Sequence, residues 1–414
     1  VALRAGGGRL GLIRRASDFR LLFLATLASS VGTWLAVVAL VVDVYDRTGS
    51  AAWVSALLVV EFAPIVVIGL LIGPLIDRLP RRRVLIAADL ARAGVFCALP
   101  FTTSVLQIML LALVAGIATS FFQPAVYAGL PSLVEEDDLT RANGLLQSAM
   151  NLTNALGPVL GGLLVAWASP APAYWFNAAS FVLSATLVYG IRRNLEEGKA
   201  ESQGHWHDLV EGLALLRTSR PLRAVVVTWC VAMAASAGIS VSEIVLAKDV
   251  FDAGGWGYGL MLSAMGAGLV LGGLWAAEWV DQHGVRGPYV GSIAVMAAGI
   301  AGVAVAPNVW VAAGLLVLAG LGNGVALVCN AVLVQRGVPD RARGRAFTVA
   351  MSLSYAALGL GMIAAGPLTA GIGAREVWVV AGVLLAVAGV IALALTRGVG
   401  VGSEAKAAEP AVPS

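Results

Sequence analysis

Glu61 stands alone in the run WVSALLVVEFAPIVVIGLLIG (53–73), with no other charged residue for more than a dozen positions on either side. Twelve residues on, GPLIDRLPRRRVL (73–85) packs Asp77 and the arginines Arg78, Arg81, Arg82 and Arg83 into a short gap between apolar runs. A third group, Gln147, Asn151 and Asn154, recurs at intervals of four and three, which places three amides on one face of a helix. An isolated carboxylate can take up and release a proton. A row of amides can bind a polar ligand or join helices, and an arginine cluster can hold a carboxylate. None of these makes a catalytic cluster. His205 and His207 flank Trp206, two ligands where a metal centre needs more. Phosphate-loop chemistry is excluded as well: no GxxxxGK[ST] occurs, and the three lysines, Lys199, Lys248 and Lys406, lie elsewhere. The expectation is a protein that is not an enzyme, with no metal, no cofactor and no nucleic-acid partner.

The elements that position these residues follow from composition. Of 414 residues, 59% are hydrophobic and 12% charged, about half the charge of a soluble domain. Apolar runs of about 20 residues recur along the chain, each long enough to cross a hydrocarbon core of about 30 Å as a helix. No ten-residue alternation suggests a barrel. The chain reads as an all-α polytopic membrane protein with 12 transmembrane helices. The first six cover 20–46, 52–76, 83–103, 105–131, 140–168 and 173–191. The second six cover 222–249, 256–280, 287–306, 309–334, 344–370 and 375–396. Residues 1–19 form a basic N-terminus, 20–191 and 222–397 two bundles, 192–221 a linker, and 398–414 an Ala/Pro/Glu tail expected to be disordered. The first apolar run reads as an uncleaved span and not a signal peptide. Cys97, Cys230 and Cys329 fall inside apolar runs and imply no disulfide.

Lys and Arg concentrate in the segments that an N-terminus-inside topology places in the cytoplasm, whereas the outer side holds only Arg47, Lys248 and Arg375. Both termini are expected in the cytoplasm of a cell-membrane protein. In the linker, HDLVEGLALLRTSRPLR (207–223) sets Leu209, Leu213 and Leu216 at helical spacing, the pattern of an amphipathic helix on the inner leaflet.

The halves echo each other. Asp43-Val-Tyr-Asp46 matches Asp249-Val-Phe-Asp252, Trp53 matches Trp256, and LIDRLPRRR matches WVDQHGVRG, aligning Asp77 with Asp281 and Arg82 with Arg286. The offsets all lie between 203 and 206, so a six-helix unit is duplicated. Parallel repeats of this kind are a transporter architecture with the substrate near mid-membrane.

These residues resemble the major facilitator superfamily. GPLIDRLPRRR is similar to its loop signature between spans two and three. Asn154, Gly157, Pro158, Gly161 and Gly162 resemble its antiporter motif in span five, typical of exporters. DFRLLFLATLASSVGTWL, the TGS at 48–50 and DLVEGLALL resemble the branch of macrolide-efflux and enterobactin-export proteins. The likeness runs from about 18 to 397. It departs at Gly32-Thr33, where many members carry an acid, and at Gln282 in the second-half loop. The resemblance implies the major facilitator fold, two pseudo-symmetric six-helix bundles. It also implies a conformational latch at Gly73, Asp77, Arg78, Arg81 and Arg82, with Asp77 as acceptor. The central cavity would be lined by Thr33, Trp34, Gln123, Tyr127, Gln147, Asn151, Asn323, Asn330 and Tyr355, alongside Ser30 and Asn154.

Glu61 lies about ten residues into its span, roughly 15 Å deep. A charge there costs about 2.5–3.5 kcal/mol and marks a pathway or a cavity. Three roles are open to it: proton coupling, a helix–helix hydrogen bond or cavity polarity, and recognition of a cationic substrate. Asp43 and Glu243, nearer the outer ends, are further proton-coupling candidates, with solvated interfacial positions the simpler expectation. Asp89 and Arg92, at i and i+3, read as a local ion pair. The cavity amides fit interhelical bonding as well as pore lining. Gly157, Pro158, Gly161 and Gly162 read as close-packing and bending devices. The function expected is proton-coupled efflux of a small amphiphile, drug-like or siderophore-like, by a monomer powered by the proton gradient. Uptake by symport and a non-transporting receptor or scaffold are the alternatives.

Overall fold

A computed structural model of the chain describes residues 9–76, 79–195, 213–217, 219–338 and 343–397. Among these residues there are helices and turns and no strand. The principal helices are α1 (Arg9–Arg15), α2 (Ser17–Thr48), α3 (Ala51–Ile76), α4 (Arg81–Ala98), α5 (Val105–Gly129), α6 (Leu139–Ala168), α7 (Ala171–Tyr189), α8 (Arg220–Val245), α9 (Gly254–His283), α10 (Arg286–Ala304), α11 (Val309–Gly337), α12 (Arg343–Ile372) and α13 (Ala374–Leu395). Eleven candidate membrane spans occur among the described residues. The sixth expected crossing corresponds to α7, a 19-residue helix that is not one of the eleven. Asn177, Ser180 and Ser184 dilute its apolar character, and all three are buried against neighbouring helices.

The helix ends follow local chemistry. Gly49 closes α2 in the left-handed region (φ 58°), its N–H bonding the Tyr45 carbonyl at 2.7 Å, a geometry glycine adopts without strain. Ser104 and Gln107 form a reciprocal capping box at the start of α5. Asn308 caps α11 by accepting the N–H groups of Trp310 and Val311, both at 3.1 Å. The chain leaves α8 through a π-helical turn, Leu246–Val250.

Two compact units emerge, Val1–Gly49 with Val60–Ser202, and Ser50–Val59 with Gln203–Ser414. In the first, α2 packs on α6 and α7, and α4 on α5 and α7. In the second, α8 packs on α12 and α13, and α10 on α11 and α13. Counted within each half, these four pairs correspond, which is the packing counterpart of the sequence repeat. Each unit has its own apolar core, around Phe19, Leu85, Phe122 and Leu146 in one and Leu222, Tyr289, Cys329 and Leu333 in the other.

The division differs from the expected one at Ser50–Val59, the first third of α3, which belongs to the second unit. Ala51 packs with Val241 and Ala365, and the Ser55 hydroxyl donates to the Met362 carbonyl. Part of the linker is described. Residues 213–217 are helical, but Leu213 is exposed while Leu215 and Leu216 pack on the second unit's core. Leu209 lies outside the described residues. All three cysteines are free.

Candidate functional site

The amides of α6 sit on a helix with two opposed faces. Gln147, Asn151 and Asn154 lie within about 60° of one another at roughly 100° per residue. Leu152, Leu156, Leu160 and Leu163, all about half exposed, cluster on the opposite side. An exposed leucine stripe on a membrane helix suits lipid. The amide face therefore turns away from it. Gln147 is itself exposed, and its Nε2 donates to Asn151 Oδ1 at 3.1 Å. From α5, the Tyr127 hydroxyl reaches Met150 Sδ at 3.6 Å, and Gln123, half-buried, precedes it by one turn. The structure thus brings Gln147, Asn151 and Tyr127 into one polar neighbourhood.

Below that neighbourhood α6 is held tightly against α2. A Cβ on Gly157 would collide with Trp34 Cβ, and one on Gly161 would lie 2.8 Å from the Leu35 carbonyl oxygen and 3.2 Å from Val38 Cβ. Only glycine permits that approach. Pro158 and Gly162, on the same helix, are also buried. Trp34 is half-buried, and Thr33 spends its hydroxyl on the Ser29 carbonyl at 2.8 Å. In the second unit, Asn323 is half-buried on α11. Asn330, seven residues on, is buried with Oδ1 lacking a hydrogen-bond partner among the described residues. Tyr355 of α12 is exposed.

The three candidate acids differ in their surroundings. Asp43 is 8% exposed and closed off: Arg47 donates through Nε at 2.7 Å and Nη2 at 3.3 Å, and the Tyr174 hydroxyl donates at 2.9 Å. Arg47 also donates to the Thr102 carbonyl at 2.9 Å, tying the end of α2 to the turn before α5. Glu243 is 4% exposed on α8, and no hydrogen bond or ion pair to its carboxylate occurs among the described residues. Both acids were expected at solvated interfaces and are instead inside their units. For Asp43 the reason is that Arg47, one turn on, and Tyr174 of α7 replace water. Glu61 is half-buried on α3, again with no hydrogen bond or ion pair among the described residues. Its backbone carbonyl meets Gly116 of α5, where a Cβ would sit 2.6 Å away. Sequence reasoning missed Tyr174 as the partner of Asp43. Topology could have indicated it, since the end of α2 and the start of α7 lie on the same side.

Of the loop cluster, Gly73 ends up in the last turn of α3, and Asp77 and Arg78 lie outside the described residues. Arg81 is buried, donating to the carbonyls of Ala128 at 2.8 Å and Leu195 at 2.7 Å. Arg82 donates to the Tyr189 carbonyl and lies over the Tyr189 ring at 5.3 Å. These contacts fasten the start of α4 to the ends of α5 and α7. Asp89 and Arg92 form the expected ion pair, 2.5 Å apart, but it is enclosed. Arg92 is sandwiched between the rings of Phe122 and Phe181, at 4.3 and 4.2 Å.

A duplicated arrangement of membrane helices, with a polar face turned from lipid, is a transporter architecture. Over residues 13–410 the chain matches the profile of the transmembrane secretion effectors of the major facilitator superfamily, and it belongs to that family. It is 27% identical to the multidrug efflux pump Tap of Mycolicibacterium fortuitum, covering 91% of this chain and 95% of the relative. It is 25% identical to macrolide efflux protein A of Streptococcus pyogenes, covering 82% and 86%. Among solved structures, the nucleoside transporter NupG superposes with a TM-score of 0.75 at 14% identity, covering 91% and 99%. A bacterial homologue of ferroportin superposes with 0.74 at 16%, covering 92% and 98%. The fold is that of the major facilitators.

Proposed function

We propose that the protein is a proton-driven exporter of small amphiphilic molecules, working by alternating access through twelve spans in two six-helix bundles. Both termini face the cytoplasm, the working unit is a monomer, and the proton gradient is its energy source, with no cofactor. The observation that carries this reading is the division of α6. A lipid-facing leucine stripe backs an amide face that has Tyr127 beside it. Amides and an aromatic hydroxyl offer donors and acceptors without a fixed charge, which suits amphiphiles of varied shape. The relatives named as multidrug and macrolide efflux pumps support that direction and that breadth.

Glu61 is the carboxylate assigned to proton exchange, because it is open where Asp43 is engaged by Arg47 and Tyr174. Glu243 is the second-unit candidate. Asp77 serves as the latch acceptor, with Arg78 and Arg82 as tethers, and Arg81 holds the helix that carries Arg82 in place. Gly157 and Gly161 let α6 and α2 move as a closely packed pair. In inside-out membrane vesicles, an imposed gradient acidic inside drives accumulation of a macrolide or a fluorescent amphiphilic dye. Loss of the probe from vesicles under that same gradient would instead establish uptake by symport.

A further inference from the structure

Between α10 and α13 of the second unit lies an open apolar groove of about 520 Å³, lined by Val290, Ala294, Ala298, Gly382, Ala386 and Val390 among others. Its walls carry no polar side chain, and Val383 and Val390 on its rim are more than half exposed. The lining runs from Val290 to Ala301 on one helix and from Gly382 to Leu393 on the other. At about 1.5 Å per residue that is roughly 16 Å, the depth of one leaflet of a hydrocarbon core about 30 Å thick. The two helices are antiparallel, with Gly382 against Ala301 and Gly389 against Ile293. Carried to their ends, that register sets Arg397 beside Arg286. Arg286 opens α10 four residues before Val290, on the groove's own face, and Arg397 lies in the turn four residues beyond Leu393, just past the end of α13. Arg286 Nε is buried with no hydrogen-bond partner, and no ion pair involves either arginine, among the described residues.

The first unit carries arginines at the matching positions. Arg82 and Arg193 stand 204 residues before Arg286 and Arg397, within the range of the internal repeat. With Arg192 they line a polar cavity of about 250 Å³ at the matching end of α4 and α7, where the Asp18 carboxylate accepts the N–H groups of Arg192 and Arg193 and fixes the turn. Two like charges at one mouth call for an anion. A membrane-depth apolar trough leading from that mouth calls for a hydrocarbon chain. We infer that the α10–α13 groove is a binding site for an anionic phospholipid, with its head group on Arg286 and Arg397 and one acyl chain along the small residues of the groove. The lipid comes from the leaflet on the arginine-rich side. The site is separate from the α6 amide face, and its test does not depend on transport.

The test uses the full-length protein in nanodiscs of phosphatidylcholine, doped with phosphatidylglycerol or phosphatidylcholine carrying a photoreactive acyl chain. Cross-linked peptides are mapped by mass spectrometry. The phosphatidylglycerol probe should label 290–301 and 382–393 at least fivefold more than the phosphatidylcholine probe; two arginines near an anionic surface support up to about 30-fold. In Arg286→Gln/Arg397→Gln the preference should vanish, and in Arg286→Lys/Arg397→Lys it should persist. Ala298→Phe/Ala386→Phe, which fills the groove from its exposed side, should lose labelling by both probes while remaining monodisperse. A preference below fivefold, an unchanged Gln variant, or protein–protein cross-links at these residues, showing a second copy in the groove, would overturn the assignment.

Discussion

The crossing of α2 and α6 allows the sharpest calculation. In Gly161→Ala the new methyl carbon would sit 2.8 Å from the Leu35 carbonyl oxygen and 3.0 Å from its Cα. Relaxed carbon–oxygen contacts begin at about 3.3 Å, so α2 must retreat by about 0.5 Å. The obstacle is backbone, which no rotamer change can move aside. Overpacking of this kind costs about 1–3 kcal/mol. If the strain is borne unequally by the states of the transport cycle, the rate changes by about 5- to 150-fold. Gly144, on the same helix, has nothing within 4 Å of its would-be Cβ, so Gly144→Ala is the matched control. Initial rates of dye transport in proteoliposomes at equal protein content, read beside thermal stability in detergent, check the reasoning. Gly161→Ala should be slowed at least fivefold or be visibly less stable, with Gly144→Ala unchanged. Equal rates and equal stability for the two variants would refute the close-packing role.

The enclosed ion pair gives a second prediction. Arg92→Gln strands Asp89, which is fully buried, and should destabilise the protein by about 3–5 kcal/mol. Asp89→Asn/Arg92→Gln should recover most of that loss in a thermal-shift measurement. Near the C-terminal end of α2, Asp43→Asn and Arg47→Gln should each reduce stability, and the double variant should lose less than the two added together, since the pair shares its bonds with Tyr174. Asp77→Asn should insert normally and slow transport, measured as dye efflux from cells at matched expression. Normal efflux would remove the latch role.

Most of the spans were readable because they are apolar runs of the length a bilayer requires, many bounded by Gly, Pro, Ser or Asn. The repeat was readable because its marker residues sit at turns, where spacing is preserved. What escaped was tertiary. Nothing in the local pattern around Asp43 announces that Tyr174, 131 residues away, will donate to it, so its burial could not be foreseen. The same holds for Arg92. The i, i+3 spacing disclosed Asp89, but the aromatic slot needs Phe122 and Phe181 from two other helices. The α6 amides were visible as a stripe, and their separation from lipid became clear only with the leucine face exposed behind them.

Proton coupling through Glu61 is the centre of the account, and reconstituted protein under an imposed pH gradient tests it most directly. Wild-type proteoliposomes, acidic inside, should accumulate dye and release protons to the medium as they do so. Glu61→Gln, inserted to the same level, should equilibrate dye without accumulating it and release no protons. Gradient-driven accumulation by the Gln variant at the wild-type level would contradict the assignment.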